Sequence, residues 1–226
     1  RLLEISPEDE KSIQAAAGHH RRAGRPERAL ELVTNYAKTR ATPEQRAIAH
    51  YFVASEYLQQ GNTAEAEKTL LAAEGTAQTV EIARALAKFY MQFANQPEKA
   101  AEWCAIAVER ARRMKSPLLP NVLEEEIACL LHRKVNDIER ARKDVEELRI
   151  SFPNYTRGLL WESEIHDRSG DIDRAVASLT EYLSVRPNDP YALFQRARHQ
   201  VSRGRLGAAI EDLSAVKRTN PLALEL

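Results

Sequence analysis

The chain reads TRGLLWESEIHDRSGDIDRAVASLTEYLSVRPND from Thr156 to Asp189, and PYALFQRARHQVSRGRLGAAIEDLSAVKRTNP from Pro190 to Pro221. Within this stretch the same residue types recur 34 residues further along, in the pairs Gly170 and Gly204, Ala175 and Ala209, and Pro187 and Pro221. A fixed period of this size is typical of proteins built from repeated pairs of helices. The stretch therefore predicts an array of helix–turn–helix units.

A leading alanine, followed by apolar residues four and seven positions later, marks the second helix of each unit, because these offsets share one helical face. The leading alanines are Ala29, Ala66, Ala100, Ala141, Ala175 and Ala209. Their spacings are 37, 34, 41, 34 and 34 residues. Because the 41-residue interval adds about two helical turns, we expect a longer second helix that ends near Lys115. A stiff connector between Pro117 and Pro120 should follow it.

Each predicted second helix follows a turn that contains glycine or asparagine, both of which accept the left-handed conformation that ends a first helix. These turn residues are Gly24, Gly61, Asn95, Asn136, Gly170 and Gly204. The third turn holds one extra residue. Thr42 and Gln45 have the spacing of a capping box before the next helix.

Composition limits the function classes. The 226 residues are 43% hydrophobic, and 33 Lys and Arg balance 33 Asp and Glu, so no overall field favours a polyanion. The sequence has no apolar run of the roughly 20 residues that a membrane span needs, and it has no signal-peptide pattern. We expect a soluble chain, cytoplasmic by default, unless a targeting signal lies outside this segment. Cys104 and Cys129 are interpreted as buried free thiols.

Over essentially its whole length the chain resembles the tetratricopeptide repeat family. The family's turn glycine and second-helix pattern match Gly61, Ala66, Leu70 and Ala73, and its small-then-aromatic first-helix pair matches Ala54 with Tyr57. The sequence departs from the family pattern in two ways. No first helix has the leading tryptophan, and Glu162 and Arg196 replace the usual apolar residue. The resemblance implies an all-α fold, a right-handed α-solenoid of about six repeats.

We expect a single repeat domain over residues 1–226, in which residues 1–9 are the tail of a preceding repeat. The predicted repeats occupy residues 10–43, 44–79, 80–117, 121–155, 156–189 and 190–223. Neither end has the polar capping helix that closes such arrays. We therefore expect a segment of a longer array, with possible self-association through the uncapped ends.

Catalytic and metal-binding motifs are missing from the sequence. There is no HExxH, no Gly-rich phosphate loop and no nucleophile elbow, so we predict no enzyme, no metal and no cofactor. His20, His132 and His166 occupy equivalent places late in first helices and are interpreted as packing residues. The basic run from His19 to Arg25 includes Arg21 and lacks interleaved aromatic residues. A second basic cluster contains Arg110, Arg112, Arg113 and Lys115, and both are interpreted as solvated surface, so we do not expect nucleic acid.

Function is expected to follow from shape. In a stack of helix pairs the first helices line a concave surface that binds extended peptides or partner helices. The predicted inward positions are Tyr51, Ser55, Arg84, Lys88, Glu126, Leu130, Arg133, Leu160, Glu164, Asp167, Phe194 and Arg198. This groove would be basic in the third repeat and acidic in the fifth. Tyr51, Leu160 and Phe194 have the alternative role of packing between repeats.

The leading hypothesis is a non-catalytic scaffold that binds a protein or peptide on this concave face. One alternative is a structural or self-assembling arm of a larger enzyme or of a secretion or assembly machine. A second alternative is binding of a polyanion, either nucleic acid or polysaccharide, through the basic clusters. The clamp by which some family members hold chaperone tails is absent, because Gln14, Gly18 and Phe52 stand at its positions.

Overall fold

The computed structural model describes residues 10–40 and 42–219. Twelve α-helices lie in this part of the chain: α1 (Glu10–Arg22), α2 (Pro26–Lys38), α3 (Pro43–Gln59), α4 (Thr63–Thr76), α5 (Val80–Gln92), α6 (Pro97–Arg113), α7 (Leu119–Leu130), α8 (Ile138–Ser151), α9 (Arg157–Arg168), α10 (Ile172–Val185), α11 (Pro190–Ser202) and α12 (Leu206–Thr219). The predicted all-α fold is confirmed. The tail expected at residues 1–9 and the repeat end expected around Pro221 lie outside the described residues.

The chain divides into two compact units, and the boundary falls within α7. Unit 1 ends at Val122 and unit 2 begins at Leu123. In unit 1 each helix from α1 to α6 packs on the next, and in unit 2 the same holds from α8 to α12. Among the described residues, no helix is both long and apolar enough to cross a membrane. The single domain over residues 1–226 stays a prediction.

The turns within helix pairs have the predicted left-handed backbone. Positive φ angles of 50–77° occur at Gly24, Gly61, Asn95, Asn136, Gly170 and Gly204. A side chain strains this conformation, and glycine occupies the four positions with the larger φ, such as Gly170 with φ 77°. The extra residue of the third turn is also present, since four residues separate α5 from α6 where three separate α3 from α4.

The cores of the two units follow the alanine pattern. All six leading alanines of the second helices are buried, and their small side chains allow the paired helices to approach closely. Cys104 and Cys129 are buried free thiols, as predicted. The capping box at the start of α3 is confirmed, because the Thr42 side chain accepts from the Gln45 backbone and the Gln45 side chain accepts from the Thr42 backbone.

The long interval between the third and fourth second helices has the expected long helix but not the expected connector. α6 has 17 residues where the other second helices have 13 or 14, and it ends two residues before Lys115. α7, however, begins at Leu119, so Pro120 lies inside its first turn. The prediction that Pro120 bounds a connector is wrong, because proline fits a helix start, where its missing amide donor is not needed.

Ionic pairs compensate for the two charged residues at usually apolar positions. Glu162 accepts from Arg149 Nη1 at 2.6 Å and from the Ser178 hydroxyl at 2.9 Å. Arg196 donates to the Asp212 carboxylate at 2.9 and 2.6 Å. Ser178 and Asp212 are 34 residues apart, as are Glu162 and Arg196. The last two repeats of unit 2 therefore each pair the charged residue at this half-buried position with the residue sixteen positions later, one through a hydroxyl and the other through a carboxylate.

Candidate protein-interaction surface

An exposed row of side chains runs along α11, the last first helix of unit 2. Phe194 is 48% exposed, and Tyr191 and Val201 are 55% and 52% exposed. Together with exposed Arg198 they follow offsets of three, four and three residues, which places them on one helical face. We call these four residues the α11 stripe. Phe194 and Arg198 were among the predicted binding residues, whereas Tyr191 and Val201 were not, although both follow from Phe194 by helical spacing.

α11 holds the stripe on a fixed support. The Asp189 carboxylate caps the helix by accepting from the Ala192 backbone nitrogen at 3.0 Å. Its other oxygen accepts from the Tyr182 hydroxyl at 2.8 Å. Leu193 and Ala197 are buried on the opposite side of the helix. The stripe therefore belongs to a capped, packed helix, and its side chains point away from the core.

The charged candidates near the stripe are already paired. Arg198 Nη2 lies 2.7 Å from Asp167 Oδ2 on α9, and Arg168 Nε lies 2.7 Å from Glu164 Oε1. Leu160, also on α9, is half-buried and packs against the core of unit 2. The acidic character expected for this repeat is thus compensated within the unit. What the surface offers a partner is mainly apolar.

A buried histidine lies next to the Asp167 carboxylate of the Arg198–Asp167 ion pair. His199 is buried, and its Nδ1 lies 3.6 Å from Asp167 Oδ1. Burial lowers the pKa of His199 from its ordinary value, while the Asp167 charge opposes that shift. A neutral imidazole leaves Arg198 as the charged partner of Asp167.

Four candidates of unit 1 lie on α3 and α5, two helices that pack against each other. Tyr51 is exposed, and its ring meets Phe52 edge-on with the ring centroids 5.9 Å apart. Ser55 lies one turn later on α3 and is half-buried. On α5, Arg84 is half-buried and Lys88 is exposed. These two helices thus expose an aromatic ring on α3 and a lysine on α5.

Two of the predicted binding residues lie in the interior instead. Glu126 and Leu130 are 2% and 1% exposed, and the Glu126 carboxylate accepts from Arg140. A register difference of one residue turns a helical side chain by about 100°, which is enough to move it from the surface to the core. The exposed residue of α7 in this unit is Ala128, and the exposed Arg133 lies in the turn after that helix. The prediction that Glu126 and Leu130 face a partner is wrong.

The histidines occupy different places. His20 and His166 lie in the last turns of α1 and α9, whereas His132 lies beyond the end of α7 at Leu130. The expected place late in a helix is therefore wrong for His132, although it lies four residues before the positive-φ residue Asn136, as His20 and His166 lie before Gly24 and Gly170. Within residues 10–40 and 42–219, no group of three or more His, Cys, Asp or Glu side chains is arranged to hold a metal ion.

Each basic cluster gives one arginine to an ion pair inside unit 1. Arg110 is 7% exposed, and its guanidinium donates to both Glu74 oxygens and to the Thr79 carbonyl. Arg21 donates to the buried Glu56. Burial raises the pKa of Glu56, and the Arg21 charge opposes that rise. The interpretation of the second cluster as solvated surface is wrong for Arg110.

The profile of the tetratricopeptide repeat family matches residues 15–80 and 162–223, which together make up more than half of the chain. The chain belongs to the tetratricopeptide repeat family. The resemblance drawn from the residues is confirmed. The tetratricopeptide repeat fold is typical of protein–protein interaction scaffolds and is generally non-enzymatic, so it suggests a protein as the partner.

Solved tetratricopeptide repeat structures share this fold. PilW, a widely conserved type IV pilus biogenesis factor, is 16% identical with a TM-score of 0.70, over 95% of this chain and 94% of its own. BtubC from P. vanneervenii is 16% identical with a TM-score of 0.72, over 92% of each chain. MamA from Desulfovibrio magneticus RS-1 is 13% identical with a TM-score of 0.64, over 79% of this chain and 97% of its own. At these identities the likeness concerns the solenoid fold. No curated protein matches the sequence.

Proposed function

We propose that this tetratricopeptide repeat protein is a non-catalytic scaffold that binds a protein partner through the exposed faces of its first helices. The observation that carries the proposal is the α11 stripe, in which three large apolar side chains, each about half exposed, share one helical face. Single exposed apolar residues are ordinary on protein surfaces. A contiguous row on a rigid helix is instead a feature of interaction sites.

The side-chain types in the stripe support a binding role. Aromatic and arginine residues dominate the energy of protein interfaces, and they act most strongly at the centre of the buried patch. Phe194 and Tyr191 supply the aromatic area, and Arg198 is held in place by Asp167. Because that ion pair is already formed, the partner needs an apolar surface, such as one face of an amphipathic helix, more than it needs a matching charge.

The face of unit 1 is proposed as a separate contact area with different chemistry. Tyr51 and Ser55 lie on α3, and the basic Arg84 and Lys88 lie on α5, which packs against α3. This pair of helices therefore suits a partner segment with an aromatic or aliphatic residue and an acidic one. The two faces are each proposed from the residues of their own unit. Each can be tested by itself.

Affinity capture from a lysate of the source organism tests the proposal. Tyr191→Ala with Phe194→Ala should reduce capture of the specific partner at least tenfold, since truncation of one interface anchor costs about 2 kcal/mol. Ile150→Ala is the matched control, because Ile150 is 73% exposed on α8 in the same unit. Equal capture by all three proteins would reject the proposed role of the stripe.

A self-assembling arm is a second candidate, and one observation favours it. Leu206 and Ile210 are exposed on α12, whereas Ile172 and Val176, which stand 34 residues earlier on α10, are half-buried. Sedimentation over a range of protein concentrations distinguishes the two functions. A concentration-dependent oligomer that becomes monomeric on Ile210→Asp substitution would favour the self-assembling arm. A monomer at all concentrations would favour the partner-binding scaffold.

Binding of a polyanion has less support. Arg110 and Arg21 both serve ion pairs with carboxylates of unit 1, so neither basic cluster offers its full charge to a ligand.

A further inference from the structure

Unit 1 contains a cleft of about 380 Å³ that is lined by residues of α2, α3 and α4. The α3 residues that line it include Arg46, His50, Val53 and Tyr57. At about 100° per residue these side chains lie on the side of α3 opposite to Tyr51. The cleft is therefore distinct from the first-helix face proposed above as a binding surface.

The lining of the cleft has an excess of positive charge. Each of its three helices contributes one cation: Lys38 from α2, Arg46 from α3 and Lys68 from α4. Glu65 is the single carboxylate in the lining, and its Oε2 lies 3.7 Å from Lys68 Nζ. The chain as a whole has equal numbers of acidic and basic residues, so this three-to-one ratio is a local feature.

The cleft also has apolar surface and an unsatisfied polar atom. Ala37, Val53 and Ala72 line it beside the cations. His50 Nδ1 is buried and makes no hydrogen bond to the described residues. Burial, reinforced by the Arg46 charge, lowers the pKa of His50, so a neutral ring is favoured that can donate or accept one hydrogen bond.

We infer that this cleft binds an acidic peptide segment of a partner protein, with carboxylates against Lys38, Arg46 and Lys68 and an apolar side chain against Val53 and Ala72. Its length favours a peptide over a small anion. Arg46 and Tyr57 are eleven residues apart on α3, which corresponds to roughly 16 Å along the helix. A single phosphate would cover only part of this length and leave apolar lining uncovered.

Fluorescence anisotropy with a labelled eight-residue peptide of alternating Glu and Leu tests the inference. The matched probe has Gln in place of Glu. The full chain should bind the acidic peptide and not the amide peptide. The Lys38→Gln/Lys68→Gln variant should bind the acidic peptide about tenfold more weakly, since two partly exposed charge contacts are lost. Both lysines are exposed, so the fold should be unaffected.

Three further variants make the result specific. Ala72→Glu places a carboxylate in the cleft at an exposed helical position and should weaken binding at least as much. Lys11→Gln/Lys143→Gln removes two exposed lysines outside the cleft and should leave the affinity within twofold of the native value. Phe194→Ala should also leave peptide binding unchanged, which separates this inference from the proposed function of the α11 stripe.

Several outcomes would overturn the inference: no binding of the acidic peptide, equal binding of the amide peptide, or equal weakening by the Lys11 and Lys143 control. Inorganic phosphate that displaces the peptide at the same concentration as the unlabelled peptide would also overturn it, because the cleft would then select a small anion.

Discussion

Replacing Glu74 by alanine should destabilise unit 1 by about 3 kcal/mol, because the Arg110 guanidinium would stay buried without its carboxylate. The two side chains are only 8% and 12% exposed. Exposed ion pairs contribute about 0.2–1 kcal/mol, whereas removal of one partner from a buried pair costs about 3–5 kcal/mol. We take the lower end of that range because Arg110 keeps its 2.9 Å hydrogen bond to the Thr79 carbonyl.

A double-mutant cycle isolates the interaction itself. Arg110→Ala should also cost about 3 kcal/mol, since it leaves Glu74 buried and the Thr79 carbonyl without its donor. The double variant should cost less than the sum of the two single variants, with a coupling energy of about 2 kcal/mol.

Urea denaturation followed by tryptophan fluorescence measures these energies. A Trp161→Phe background leaves Trp103, about two turns before Arg110 on α6, as the reporter of unit 1. Glu31→Ala is the control, because Glu31 pairs with Arg28 at 2.9 Å on the exposed side of α2 and should change the stability by less than about 0.5 kcal/mol. If Glu74→Ala costs no more than Glu31→Ala, or if the cycle is additive, Arg110 belongs to the surface and the reasoning fails.

Two other predictions concern unit 2, with Trp161 as the reporter. Gly170→Ala should lower the free energy of unfolding by about 1 kcal/mol because φ is 77° at that residue. Gly207→Ala, in α12 with open space around it, should raise the free energy of unfolding by up to about 1 kcal/mol. Thermal unfolding measures both changes, and equal effects of the two substitutions would contradict the left-handed turn at Gly170. Acidification should destabilise the unit because the pKa of His199 is lower in the folded chain than its ordinary 6.5. The unfolded chain then binds more protons, so the stability present above pH 6.5 falls as the pH drops below it. Unfolding at pH 7.5 and 5.5 should show this loss, and His199→Gln should reduce it; an unchanged pH dependence in that variant would exclude His199 as the cause.

The repeat architecture could be predicted from the sequence because its signals are local. The glycine and asparagine turns, the leading alanines and the Thr42 capping box each depend on residues within a few positions of one another, and all were found where expected. The start of α7 near Pro120 was harder to predict from the sequence. A proline at the end of a connector and a proline in the first turn of a helix have the same local sequence pattern.

The candidate site was less predictable because it depends on contacts between distant residues. The partner of Arg110, Glu74, is 36 residues away in the sequence. Because only the basic neighbours of Arg110 are visible locally, the sequence pattern indicated a surface residue. Glu126 and Leu130 were misplaced because the longer interval before α8 made the register of α7 ambiguous, and one position decides between surface and core. The α11 stripe was only half identified, because exposure depends on what packs beside the helix.

Site-specific photocrosslinking tests the proposed partner-binding surface most directly. Benzoylphenylalanine in place of Phe194 puts a reactive benzophenone in the α11 stripe at a side chain that is already 48% exposed, and the same residue in place of Ile150, which is 73% exposed, serves as the control on α8. After irradiation in a lysate of the source organism, position 194 should yield a discrete protein adduct that position 150 does not. No adduct at position 194, or the same adducts at both positions, would contradict the claim that the stripe binds a protein partner.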